Sequence, residues 1–293
     1  MTEPRHHAVA SSTGAPGRLI SSAAKYLVLM LFALLSLYPL LLIVSTSLKD
    51  PLDVTANPFA LFSSFNPINF YDAWTLGGFG EYFWNTVVIT AITVVGVVAL
   101  SSLAGYGLAR FQFPGNNIIF FAFILGLMIP FFSVMIPLFY ELQGMGLLGT
   151  EAAVILPAIA GASGFGVPLG VFLMRSFYMD LPEDLADAGR VDGAGEFQVF
   201  WRIMLPLSLP GVAVLAVLVF FMTWNNFVLA LVYLQGSENQ MLASGLYLFA
   251  GGRSAEYELL AAGSLIMTIP VLIVFLIFQR FFVRGLTSGA LKG

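Results

Sequence analysis

Few side chains in this sequence could do chemistry. Glu183, Asp184 and Asp187 form its only carboxylate cluster, and carboxylates at that spacing could serve proton transfer at a membrane edge. The same three residues crowd what reads as the first turn of a helix, where negative charge suits the positive end of the backbone dipole. Asp180 is placed to cap that helix, Glu183 three residues on completes a capping box, and Pro182 fits the first turn. The helix start is the stronger account, and it leaves no acid–base pair. Cysteine is absent, which excludes disulfides, thiolate metal sites and iron–sulfur clusters; the only imidazoles, His6 and His7, lie in a polar tail. A Gly-x-x-x-x-Gly-Lys-Ser/Thr phosphate loop occurs nowhere, so the chain is not itself an ATPase. The sequence predicts no catalytic residue, and no metal or cofactor bound directly. One neutral group stands apart. Thr223-Trp224-Asn225-Asn226 sets two amides that donate and accept hydrogen bonds beside an indole whose flat face could stack on a sugar ring. Trp224, Asn225 and Asn226 are therefore candidates for a substrate path. Adjacent asparagines that join helices or mark a break are an equal alternative.

These groups must be positioned by helices in lipid. The chain is 59% hydrophobic and 10% charged, against roughly a quarter charged in soluble domains. Its exterior is built for hydrocarbon. A net charge of −4 implies no nucleic-acid partner. A spanning helix needs about 20 apolar residues, and six stretches qualify: 26–48, 82–109, 118–140, 152–174, 207–234 and 259–279. The expected fold is an all-α integral membrane protein of six transmembrane helices, with a helix–turn–helix between the fourth and fifth. Of the 12 Lys and Arg residues, all but Lys49 and Arg253 fall in the two tails, the 110–117 turn or the 175–206 segment. That asymmetry places both termini and the segment in the cytoplasm, and the loops around Asp72, Glu141 and Glu256 outside. The central part of each span lacks an ionisable side chain, which counts against a transporter driven by its own proton or sodium site. Pro130 and Pro137 should bend the third stretch. Small residues four apart in the fourth, Ala160 with Gly164 and Gly166 with Gly170, favour close packing of backbones. Residues 1–24, rich in Ser, Ala and Gly, read as a disordered tail.

The segment between the fourth and fifth stretches is the most informative. Leu185, Ala188 and Val191 recur at helical spacing, and Gly193 and Gly195 make a tight turn. Phe197, Phe200, Trp201 and Met204 then give a second short helix an apolar side before Pro206 and Pro210. Such a unit, joined to two membrane helices, is fit to be gripped by a soluble partner. An ordinary solvated loop would not expose Phe197, Phe200 and Trp201 together, and anchoring of Trp201 at the membrane interface is the rival use. The same residues carry a resemblance. Asp187-Ala188-Gly189, then Gly193, Ile203, Leu205 and Pro206, match in spacing the EAA loop of permease subunits in binding-protein-dependent ABC importers. Asp replaces the signature's Glu and keeps its charge. Gly189 replaces its second Ala, at a cost to the helix of about 1 kcal/mol. Ser47-Leu48-Lys49-Asp50, the run from Gly105 to Gly115, Trp224-Asn225-Asn226-Phe227 and the ending from Gln279 to Gly293 are similar to the carbohydrate-uptake branch. The short N-terminus and the tail resemble the maltose-type second permease subunit.

The resemblance covers nearly all of 25–293. It implies a permease domain over 25–284, a coupling loop at 180–206 and a cytoplasmic tail at 285–293. It implies that Glu183, Asp184, Leu185, Asp187, Ala188, Gly189, Asp192, Gly193, Phe200, Ile203, Leu205 and Pro206 meet an ATPase subunit. The implied partners are a second permease subunit, two ATPase subunits that consume the ATP, an extracytoplasmic solute-binding protein and membrane lipid. The implied place is the cytoplasmic (inner) membrane of a bacterium or archaeon. The expected function is passage of a sugar or oligosaccharide, with no enzymatic activity in this chain. The same machinery importing a polyol or glycerol phosphate, and a stand-alone secondary transporter, are the alternatives.

Overall fold

A computed structural model describes the backbone of residues 15–290 except 77, 237 and 252–255, and the side chains of 24–279 except those and Leu248. His6, His7, Arg253 and the side chains of the C-terminal tail lie outside the described residues. All regular structure among the described residues is helical. In chain order the helices are α1 (Ala15–Thr46), α2 (Pro51–Ala56), α3 (Ile68–Leu76), α4 (Phe79–Arg110), α5 (Asn116–Met128), α6 (Phe131–Gly144), α7 (Ala152–Ala160) and α8 (Val167–Asp180). There follow α9 (Asp184–Val191), α10 (Glu196–Val199), a π-helical turn (Phe200–Met204), α11 (Leu205–Leu207), α12 (Leu209–Trp224), α13 (Phe227–Tyr233), α14 (Leu242–Ala250) and α15 (Tyr257–Ala290).

Three helices are singly long and apolar enough to cross a bilayer: α1 over Ala24–Thr46, α4, and α15 over Tyr257–Gln279. The other three expected stretches are interrupted, two of them at Pro130 and Gly161. α5 and α6 meet at 97°, because Ile129 precedes Pro130 and is pushed out of the helical region. Pro137, by contrast, is accommodated inside α6. α7 stops at Gly161, whose φ of +92° and a virtual Cβ only 2.5 Å from the Phe165 carbonyl admit no larger residue. The fourth stretch is therefore broken over 161–166. The fifth breaks after Trp224, and its approach turns by 75° at Ser208. Two expectations at helix ends are corrected. The helix starts at Ala15, inside the stretch read as a disordered tail. Asp180 is the last residue of α8 and not the N-cap of α9; α8 runs on until Leu181 is forced extended by Pro182. α9 then begins after Glu183 without a side-chain cap.

α4 and α8 make the closest crossing. A Cβ on Gly105 would lie 2.9 Å from the Arg175 backbone nitrogen, and one on Gly170 would overlap Ser101 Oγ. α12 packs on both helices. From this crossing a buried cluster runs through Met174 and Leu215, then Tyr106 and Tyr178, into Phe200, Met204 and Ala186 of the segment between α8 and α12.

Candidate functional site

Residues 181–207 form a knob at one end of α4, α8 and α12. Its turn is a Schellman motif. Gly193, at φ +83°, donates to the Arg190 carbonyl, and the Ala194 N–H donates to that of Gly189. This reversal lays α10 back across α9, burying Ala186 and Gly189. Ile203 Cδ1 stands 2.5 Å from where a Gly189 Cβ would be, so the side chain of one signature position fills the space vacated at another. Arg190 ties the two arms. Its Nη1 donates to Asp187 Oδ1 at 2.6 Å and its Nε to Glu196 Oε1 at 2.8 Å. The hydrogen bond from Arg190 holds the Glu196 carboxyl below its ordinary value, and the carboxylates in turn push the guanidinium pKa up. Pairs this exposed contribute at most about 1 kcal/mol.

Burial of Phe200 and Met204 fastens the knob to the bundle. The Phe200 ring lies 5.1 Å from that of Tyr106 on α4 and 6.4 Å from that of Tyr178 on α8. Arg110, at the end of α4, donates to the carbonyls of Tyr178 and Leu181, both at 2.6 Å, and so satisfies the last turn of α8 where the knob begins. Sequence alone does not mark Tyr106, Tyr178 and Arg110 as site residues. The readable signal was a basic residue closing an apolar stretch, with a tyrosine four residues before it. The π-helical turn ends at Leu205, whose N–H reaches back to the Phe200 carbonyl. Pro206 follows, with no N–H to continue an ordinary ladder.

The expectation of one exposed aromatic cluster is corrected. Residues 200 and 204 make one i, i+4 row, turned inward, while 197 and 201 make the neighbouring row, turned outward. Phe197 and Trp201 stack at 6.4 Å and close one end of a cavity of about 370 Å³ walled by Val94, Val98 and Leu103 of α4. They face the flank of the bundle. On α9 the free face carries Glu183, Asp184, Leu185, Asp187, Ala188 and Asp192, with Val191 88% exposed. Leu185, Ala188 and Val191 thus share a face, as spacing predicts, and it is the outward one. Of the remaining signature residues, Ile203 and Leu205 are half-buried and Pro206 is exposed.

The break after α12 is arranged differently. Trp224 is 1% exposed, its Nε1–H donates to the Met267 carbonyl, and Phe220 stacks on its ring at 5.3 Å. The indole face is closed in this conformation. The adjoining cavity of about 570 Å³ is walled by apolar surface, with Val87, Val94, Phe220 and Ile273 among its lining. Asn226 Oδ1 accepts from the Leu229 N–H and caps α13. Asn225 donates from Nδ2 to the Phe221 carbonyl and is otherwise exposed.

A family model described as "Binding-protein-dependent transport system inner membrane component" matches residues 98–288. The chain belongs to that family. Within it, the chain is 37% identical over 265 residues to the arabinooligosaccharides transport system permease protein AraQ of Halalkalibacterium halodurans, covering 89% of this chain and 93% of the relative. It is 32% identical to the diacetylchitobiose uptake system permease protein NgcG of Streptomyces coelicolor, covering 92% and 89%. Its fold matches a chain of a bacterial ABC transporter that imports the acidic polysaccharide alginate, with a TM-score of 0.77, 22% identity, and 93% of this chain and all of that one covered. The matched region of the family model holds the α4–α8 crossing, the knob and the break after Trp224. The chain is accordingly an ABC transporter permease of the inner membrane.

Proposed function

We propose that this chain is one half of the membrane pathway of an ATP-driven importer of a sugar or oligosaccharide, with the knob at 180–206 receiving force from a cytoplasmic ATPase subunit. The observation that carries the coupling is the division of the knob into two faces. One is keyed by Phe200 and Met204 into α4 and α8. The other presents Leu185, Ala188 and Val191 among Asp184, Asp187 and Asp192 to a partner. A push on the second face reaches the bundle through the first. The carbohydrate assignment rests on the two relatives named for saccharide uptake, each matched along most of its length. A second permease subunit, two ATPase subunits and an extracytoplasmic binding protein complete the machine, with both termini of this chain in the cytoplasm. In the substrate path we retain Asn225, whose amide stays on an exposed surface, and assign Trp224 and Asn226 to holding the break that presents it.

The test is reconstitution with the partner subunits in liposomes. Leu185→Asp is expected to abolish ATP-dependent sugar uptake while insertion and assembly of the permease pair persist. Undiminished uptake in that variant, or solute movement by the isolated chain without ATP, would overturn the proposal. Asn225→Ala should lower substrate-stimulated ATP hydrolysis, and an unchanged response removes Asn225 from the path.

A further inference from the structure

The segment between α2 and α3 is built in a way that a loop washed by water does not require. Residues 57–66 double back along the flank of α1. The Phe59 carbonyl accepts from the Tyr38 hydroxyl at 3.3 Å, and the Phe62 N–H donates to Ser45 Oγ at 2.6 Å. The Asn66 N–H then donates to the Leu48 carbonyl at 2.5 Å, just past the helix end at Thr46. Tyr38 stands about 12 Å inside that end, at 1.5 Å per residue. Phe59 therefore lies beside the apolar stretch Ala24–Thr46 that crosses the bilayer.

Polarity within the segment is turned inside out. From Val54 to Tyr71 there is no Asp, Glu, Lys or Arg, and the one carboxylate that reaches the segment, Asp53, accepts from the hydroxyls of Ser63 and Ser64 at its far end. Phe59 and Phe65 are 73% and 74% exposed, and Phe62 is exposed as well. Backbone groups, meanwhile, are taken by the protein's own side chains. Lys49 is fully buried, and its Nζ donates to the carbonyls of Asn57 and Pro58 at 2.8 and 3.4 Å. Tyr38 serves the next carbonyl, Pro58 has no N–H, and the Ala60 N–H returns to the Asn57 carbonyl at 3.3 Å. Water would solvate such groups without help, whereas lipid cannot. Burial of an ammonium is costly, and here it satisfies successive carbonyls that lipid would leave bare.

We propose that residues 58–65 are a lipid-seated anchor, lying in the leaflet around the C-terminal end of α1 with Phe59, Phe62 and Phe65 in contact with lipid. Lys49 is a positioning residue, holding the backbone in the form that allows it. Phenylalanine side chains gathered on an exposed apolar face seat at the boundary between headgroups and acyl chains. The anchor fixes the depth of α1 at that end. It rests on α1 crossing the bilayer, and not on the identity of the solute or the ATPase.

The absence of cysteine makes the test direct. A nitroxide is attached at Phe59→Cys or Phe65→Cys in the assembled transporter in liposomes, and its collisions with oxygen and with a water-soluble nickel chelate are compared. Oxygen collisions severalfold above nickel collisions are expected at both sites. Nickel predominating would put the segment in water, and low values for both would put it under another protein chain; either result overturns the proposal. Adding Lys49→Met to the Phe59→Cys chain is expected to raise nickel accessibility severalfold, and an unchanged value removes Lys49 from its positioning role. Uptake measured on the same vesicles reports separately on the transport function.

Discussion

The knob and the break after Trp224 are made of similar material, aromatic residues beside polar ones at a helix boundary, yet they use it in opposite ways. At the break nearly every polar group is drawn inward. The indole N–H meets a carbonyl on α15, and Asn226 serves the first turn of α13. At the knob Arg190, Asp187 and Glu196 are engaged with one another, and the outward face of α9 is left open. The difference lies in what the backbone needs. An interrupted membrane helix exposes N–H and C=O groups that lipid cannot satisfy, so adjacent side chains are recruited to them. A Schellman turn closes with its own backbone bonds, so the side chains around it are free for a partner.

The contrast can be broken most forcefully at its two aromatic cores. Phe200→Ala should destabilise the knob by about 3–5 kcal/mol, and protease sensitivity confined to 184–204 is the measurement. Trp224→Ala should cost about as much but leave the knob protected, with the loss seen in thermal unfolding of the bundle. If Trp224→Ala also opened the knob, the two regions would be one cooperative unit. Val191→Asp sharpens the functional side of the comparison. Stability should change by less than about 0.5 kcal/mol, whereas ATP-driven uptake should be lost; a variant that transports normally would show that the open face is idle. A smaller effect is expected from the cap at the break. Asn226→Ala should cost about 1 kcal/mol in thermal unfolding, and Asn225→Ala distinctly less. The smallest concerns the ion pair. The folded-state carboxyl of Glu196 lies below its unfolded value, so its contribution is present above that value and fades as pH falls through the lowered one. Knob protection should therefore be flat from pH 7 to about 5 and weaken only below about 4, by no more than about 1 kcal/mol. Glu196→Gln should remove that acid limb.

Composition and spacing were enough to reveal a helical membrane protein and a two-armed segment before the fifth apolar stretch. They also placed Leu185, Ala188 and Val191 on one face. Which way that face points was not legible, because Ala186 and Gly189 look too small to be a buried face until Ile203 is seen filling the space beside them. Likewise Phe197, Phe200, Trp201 and Met204 read as one apolar side, and only the packing against Tyr106 and Tyr178 separates them into two rows. Continuity of the spans was overstated because hydropathy averages across Pro130 and Gly161, whose effect is on the backbone and not on polarity. The spacing of Ala160, Gly164, Gly166 and Gly170 was read as packing. Close approach holds at Gly170 and also at Gly166, where a Cβ would overlap the Ala158 carbonyl within the interruption, whereas Gly164 meets nothing.

The contact of Gly105 with Met174 and Arg175, and of Gly170 with Ser101, has a mechanical consequence. Where two helices meet through bulky side chains, rotamer changes can absorb a small displacement. Here the two backbones touch with almost nothing between them, so α4 and α8 form a stiff strut that turns as one piece. A displacement of the knob would therefore carry α8 and the adjoining half of α4 with it as far as the interruption at 161–166.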